Sequence, residues 1–223
     1  MKVFKPNLTS ALLIEATVPI AQDHHRLLDL GSGNGNVGLE IAKKCGLNRI
    51  FSSDLDDATG QLVAKQSINY GIEVDHRIGS LFEPWCSEKF DLIIDDVSGV
   101  AEEIAIVSPW FNGVPCASGE SGTRLVAEVL AQSKDYLLPE GQIIFPIISL
   151  SNREDLLQVA GKHFRDVRLL KRSDWPLPQS MMPHLDLMRK LKKLGYANFT
   201  EKFGMIICYT EIYIGSGFVA ACG

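Results

Sequence analysis

The sequence predicts an α/β fold built on a doubly wound, mostly parallel sheet, and three observations carry that prediction. Short apolar runs alternate along the chain with stretches of helical spacing, the βαβα pattern of a parallel sheet covered by helices on both faces. The run Phe90-Asp91-Leu92-Ile93-Ile94-Asp95 is nearly continuous in apolar character, as a strand buried on both sides requires. A glycine-rich segment from Gly31 to Gly38 separates the first apolar run from the first helical pattern, which is where such folds bind ligands.

Taken in order, residues 1–25 form an N-terminal helical segment ahead of the first strand. Met1 to Pro6 holds two lysines with no apolar stretch behind them, and Leu12-Leu13-Ile14 is cut off by Glu15, so no signal peptide is expected. Arg26 to Leu30 reads as a strand, Val37 to Lys44 as a helix stopped by Gly46, Arg49 to Asp54 as a strand, and Ala58 to Tyr70 as a helix stopped by Gly71; glycine just past a helix end is the usual stop. Strands are expected at Val74 to Ile78 and Phe90 to Asp95. A helix follows from Thr123 to Leu137, Pro139-Glu140-Gly141 turns the chain, and Gln142 to Ile148 is the fifth strand. Ser151 with Glu154 predicts a capping box opening a helix to about His163. A sixth strand at Val167 to Leu170, a basic insertion at about 175–202 with a helix near His184 to Leu194, and a last strand from Phe203 to Ile214 complete the chain.

Length and composition fit one domain over residues 1–223. Apolar residues make 46% and charged residues 22%, which excludes collagen-like and disordered classes. The net charge of −5 argues against a generic nucleic-acid coat, whose binding needs a large cationic surface. The five cysteines are scattered without a C-x-x-C pair, so a reducing cytoplasm fits better than a disulfide framework. The apolar stretch Met205 to Tyr209 reaches Glu211 too soon to span a membrane.

The segment Asp29-Leu30-Gly31-Ser32-Gly33-Asn34-Gly35-Asn36-Val37-Gly38 lies between a strand and a helix, where glycine lets backbone approach a ligand closely. Gly33-x-Gly35-x-x-Gly38 matches the dinucleotide fingerprint, and Asp54 lies 19 residues beyond Gly35 at a strand end, where a ribose-binding carboxylate belongs. That alone allows NAD. Asp54 also suits a helix N-cap, as do Asp56 and Asp57. Asp29 before glycines at every second position tilts the choice toward S-adenosylmethionine: a carboxylate attracts the cationic amino-acid end of that cofactor and repels a pyrophosphate.

This D-x-G-x-G-x-G pattern resembles that of class I S-adenosylmethionine-dependent methyltransferases. Within them the chain is similar to the HemK-type glutamine methyltransferases and other small-domain methyltransferases. Val3-Phe4-Lys5-Pro6 with Leu12-Leu13 looks like their V-F/Y-x-P…LL opening, Gly79-Ser80-Leu81-Phe82-Glu83-Pro84 like their G-D-L-F-E-P, and Gly119 to Gly141 like their glycine-rich turn, helix and strand. The resemblance covers residues 3 to about 170. It implies a Rossmann-like sheet of seven strands with an antiparallel last strand, and S-adenosyl-L-methionine held by Asp29, Gly31, Ser32, Gly33, Asn34, Gly35, Asp54, Leu55, Ser80, Leu81 and Asp96.

The chain departs from that family at the reaction centre. Where the relatives carry N-P-P-Y, which holds a planar target nitrogen, this sequence reads Asp96-Val97-Ser98-Gly99. Asp96 is the candidate for orienting or deprotonating the acceptor, with Asp95 as the alternative; neighbouring strand residues point to opposite faces, so one of them faces the site. Trp110 or Phe111, in the long loop from Ser98 to Ser121, either replaces the missing aromatic ring or anchors the loop. No downstream Asp-Asn pair suggests a metal. Residues 162–193 hold nine Lys/Arg against three Asp, a net charge of +6, which marks either an acidic or nucleic-acid partner surface or a solvated face. Met181 and Met182 suit an acceptor pocket or core packing. The sequence leaves protein, RNA and small-molecule acceptors open, with an NAD-dependent oxidoreductase and a non-catalytic methyltransferase-like binding protein as competing readings.

Overall fold

The computed structural model describes residues 8–111 and 116–219. The Val3 to Pro6 motif, Pro115 and Cys222 lie outside them. The described chain runs α1 (Leu8–Ala21), β1 (Leu27–Leu30), α2 (Asn36–Cys45), β2 (Arg49–Asp54), α3 (Thr59–Tyr70), β3 (Glu73–Ile78), β4 (Phe90–Asp95), α4 (Glu102–Val107), α5 (Arg124–Gln132), β5 (Leu137–Ile148), α6 (Arg153–His163), β6 (Phe164–Pro176), α7 (Leu185–Lys193), β7 (Thr200–Lys202) and β8 (Met205–Phe218). The sheet order is β3-β2-β1-β4-β5-β8-β6, with β7 paired to β8. β1 to β5 are mutually parallel, and β8 runs antiparallel between β5 and β6. The strand order reverses between β1 and β4, which puts the crevice for a ligand beyond their carboxyl ends.

Strand alternation builds a core on each face of the sheet. Leu27, Leu92, Ile94 and Ile144 pack with α1 and α2 through Leu13, Leu39 and Ile41. Leu28, Leu30, Ile93, Ile143 and Phe145 pack on the other face with α5 and α6 through Val126, Val129, Leu130 and Leu156. A third cluster joins the segment after β4 to the late insertion: Ile104 and Phe111 pack with Met181, Met188, Leu191 and Phe199. Met181 is therefore core. Among the described residues no helix is long and apolar enough to cross a membrane.

Several expected boundaries shift. The helix after Thr123 ends at Gln132 and passes through a 3-10 turn at Ser133–Asp135, where the Ser133 hydroxyl donates to Leu130 O at 2.9 Å and so competes with the helical ladder. Pro139-Glu140-Gly141 does not turn the chain. β5 is continuous through it, and the irregularity shows as a shift in register against β4 between Phe90 and Leu92. The cap of α6 is Asn152, whose side chain accepts from Asp155 N at 3.2 Å; Ser151, expected in that role, donates its hydroxyl to Ile148 O instead. β6 and β8 outrun their expected lengths because they pair with each other from Phe164–Phe218 to Pro176–Ile207. The three-residue β7 forms a hairpin with β8, giving eight strands where seven were expected.

Candidate cofactor and active site

β1 ends at Leu30 and the chain turns sharply at Gly31, whose φ is +77°. A Cβ there would stand 2.9 Å from Val97 Cγ1 and 3.1 Å from Val97 backbone atoms, so only glycine lets the loop pass the segment after β4. The loop is tied to the end of β2: Gly31 N and Ser32 N both donate to Ser53 O, at 2.9 and 3.0 Å, and Gly33 N donates to Asp54 Oδ2 at 2.8 Å. The other oxygen of Asp54 accepts from Asp56 N at 2.9 Å. Asp54 thus braces two turns while facing the cleft. Below it His76 bridges the hydroxyls of Ser52 and Thr59 at 2.8 and 3.1 Å, and burial holds its pKa below the ordinary value.

Three further carboxyls gather at the switch point. Asp29 is fully buried, and its Oδ2 accepts from Gly38 N in the first turn of α2 at 2.9 Å while Oδ1 has no partner. Burial is the main cause pushing its pKa up to about 7, opposed by the Gly38 N–H and reinforced by the Asp54 charge. Asp95 is also fully buried, with Oδ1 accepting from Val97 N at 3.2 Å and Oδ2 unpartnered; burial pushes it up to about 8. Asp96, on the opposite side of the strand from Asp95, faces the cleft, and its pKa stands well above the ordinary value through burial and then the Asp29, Asp95 and Asp54 charges. Clustered acids in a partly dry site repel one another and favour a cationic guest.

The cleft has a volume of about 980 Å³, near the upper end for a ligand site. Of the residues expected to hold a cofactor, Gly31, Ser32, Gly33, Asn34, Asp54, Leu55, Ser80, Leu81 and Asp96 line it. Leu55 is 74% exposed on its wall. Gly35 acts one layer back: its φ of +77° starts α2. Asp29 and Asp95 do not line the cleft. Asp29 supports the loop through Gly38, and Asp95, expected as the alternative catalytic acid, is sealed under the segment after β4. Among the described residues the lining holds three carboxylates, Asp54, Asp56 and Asp96, and no lysine, arginine or histidine.

Sequence reasoning missed the wall opposite the glycine loop. Leu125, Pro146, Ile148 and Trp175 line the cleft together with Trp110 and Phe111. Their shared signal is position, because Pro146, Ile148 and Trp175 all lie at carboxyl ends of strands running the same way. Trp110 meets Trp175 edge to face at 5.8 Å. Phe111 does both things expected of it, lining the cleft and packing in the third core cluster.

The basic run is largely neutralised in place. Arg168 pairs with Asp166, Lys171 with Glu15, Arg172 with Asp174 and Glu211, Arg189 with Glu201, and Lys190 with Glu103. Most of these partners are distant in sequence, so the charge run seen along the chain is not a bare cationic face in space. The nucleic-acid surface expected as one reading of residues 162–193 has no support in that arrangement.

Comparison with known proteins agrees with this architecture. Residues 5–96 match the methyltransferase small domain family. A release factor glutamine methyltransferase of Aliivibrio fischeri is 36% identical over 141 residues, covering 58% of this chain and 50% of that protein. Another from Bacteroides thetaiotaomicron is 22% identical over 76% of this chain and 64% of its own length. The chain thus spans about half to two thirds of the curated relatives it matches. Among solved structures, the Thermus thermophilus 16S rRNA N2 G1207 methyltransferase in complex with AdoMet and guanosine superposes with a TM-score of 0.58 at 15% identity, over 96% of this chain and 44% of that one. Over residues 5–96 the chain is thus similar to the methyltransferase small domain, and its sheet is of the fold seen in solved methyltransferase structures.

Proposed function

We propose that this chain transfers a methyl group from S-adenosyl-L-methionine to an acceptor bound beside Asp96. The observation that carries the reading is the character of the cleft: three acidic side chains, Asp54, Asp56 and Asp96, and no cationic side chain among its described lining residues. A dinucleotide pyrophosphate would face repulsion there that no cationic side chain among the described lining residues offsets, whereas a sulfonium and an ammonium are attracted. This weighs against the NAD reading of the same glycine loop.

The unpartnered Ser32 hydroxyl is a buried polar atom on the cleft lining, and it fits a cofactor whose amino-acid end brings donors and acceptors of its own. Gly31, Ser32, Gly33, Asn34 and Gly35 supply the backbone cradle. The start of α2 behind them adds the positive end of a helix dipole, suited to the cofactor's carboxylate. Asp54 is assigned to the ribose hydroxyls, Leu55 and Leu81 to the two faces of the adenine, and Ser80 to its edge. When bound, the cofactor supplies an electrophilic methyl group on a cationic sulfur. Asp96 is assigned to accept the acceptor's N–H or O–H proton, and alignment by the cleft supplies the rest. The four free thiols among the described residues fit a reducing compartment, and we place the reaction in the cytoplasm.

The test is photolabelling of the purified chain with methyl-labelled S-adenosylmethionine. Label competed by S-adenosylhomocysteine and not by NAD, and diminished in Asp54→Ala, is expected. Label that NAD displaces, or that never attaches, would overturn the reading.

A further inference from the structure

The cleft lining has two chemistries. The segments after β1, β2 and β3 provide the glycine loop, Asp54 and Ser80, whereas the segment after β4 and the ends of β5 and β6 provide Trp110, Phe111, Pro146, Ile148 and Trp175. Two half-buried indoles stand on this second wall. Their orientation is fixed, since Trp175 Nε1–H donates to Thr210 Oγ1 at 3.1 Å and Trp110 meets the Trp175 ring edge to face. Among the described residues Asp96 is the one acidic side chain that the segment after β4 adds to the lining.

We propose that the acceptor is a small amine carried on an aromatic ring, with its ring against Trp110 and Trp175 and its N–H donated to Asp96. The inference rests on the methyltransferase reading above and names the substrate class for that same site. Part-exposed indole faces gain from a further ring in stacked or edge-to-face contact, and an ammonium beside them gains again through cation–π attraction. The carboxylates and the lack of a described cationic lining residue disfavour acceptors carrying phosphate or carboxylate groups. The segment Asp96-Val97-Ser98-Gly99 holds no proline and no aromatic ring that would fix a planar amide in one orientation. An amine asks less of the site: one acceptor for its proton and an apolar slot for its body.

The step balances without any further reactant. The ammonium first gives one proton to Asp96 or to solvent, exposing the nitrogen lone pair. That lone pair forms the new N–CH3 bond as the S–CH3 bond breaks, its electrons staying on sulfur as a neutral thioether. The methylated nitrogen keeps the positive charge until its own N–H proton passes to Asp96 and on to solvent.

Calorimetric titration of the full chain saturated with S-adenosylhomocysteine tests this with matched probes: phenethylamine, cyclohexylethylamine, phenylpropionate and the peptide acetyl-Ala-Gln-Ala-amide. Phenethylamine is expected to bind about threefold to tenfold tighter than its saturated analogue and at least about tenfold tighter than phenylpropionate. Trp110→Ala and Asp96→Ala should each weaken phenethylamine by about tenfold. If Trp110→Ala does not fold, Trp110→Leu, which keeps apolar volume without a ring, reads the same contribution. No phenethylamine binding, equal binding of the two amines, or preferential binding of the glutamine peptide would overturn the acceptor class while leaving the cofactor reading standing. Failure of S-adenosylhomocysteine itself to bind would instead remove the methyltransferase reading and the acceptor class with it.

Discussion

Gly38→Ala puts the union of α2 with the sheet under direct test. A Cβ at residue 38 would stand 2.8 Å from Asp29 Oδ2, 2.9 Å from Asp29 Cβ and 3.0 Å from Ile50 Cδ1. Both neighbours are fully buried on central strands, so neither can move aside without displacing the sheet. Overpacking of this kind costs about 1–3 kcal/mol, and pushing Gly38 N off the Asp29 carboxyl adds about 1 kcal/mol. The better helix propensity of alanine returns about 1 kcal/mol, leaving a net loss of about 1–3 kcal/mol. For a chain of this size that lowers Tm by about 2–12 °C. Gly161→Ala is the internal control: it also lies in a helix, and a Cβ there meets nothing within 4 Å, so it should stabilise by about 0.5–1 kcal/mol. Urea unfolding of both variants at one pH is the assay. Equal behaviour of the two would refute the packing argument and, with it, the role of Asp29 as the loop's support.

Two other perturbations follow from the acids. Asp95 is held protonated by burial, with its pKa raised to about 8 in the folded chain, so the unfolded chain releases a proton that the folded chain keeps. Its contribution to stability is full below about pH 4 and is lost as pH rises toward 8. Asp95→Asn should flatten that slope by on the order of 2–4 kcal/mol between pH 5 and 8, and an unchanged slope in urea unfolding would contradict the assignment. Asp54→Ala removes the acceptor for Gly33 N and Asp56 N, and should weaken S-adenosylhomocysteine by about tenfold or more. Calorimetry showing undiminished affinity would place the ribose elsewhere.

The glycine loop and the helix ends around it were legible in the sequence because their signals are local. Gly46 and Gly71 end α2 and α3 in left-handed conformations, and the spacing from the glycine loop to Asp54 is a direct image of one βα unit. Asp29 accepts from Gly38 N and does not line the cleft, a consequence of α2 packing that no motif spells out. Asp96 and Asp95 were separated by the same alternation, as expected for neighbours on a strand. The acceptor wall was illegible because Trp110, Pro146, Ile148 and Trp175 converge from segments far apart in the chain. The basic run misled for a related reason. Its partners Glu15, Glu103 and Glu211 lie in other elements, so neutralisation depends on tertiary structure. β6 looked short because its polar residues face outward, while its length is set by pairing with β8.

The most direct test of the central claim is calorimetric titration of the purified chain with S-adenosylhomocysteine, with NAD in a parallel cell. A cleft lined by Asp54, Asp56 and Asp96 without a described cation predicts saturable, one-site binding of S-adenosylhomocysteine and none of NAD. Saturable binding of NAD, or of neither ligand, would contradict it.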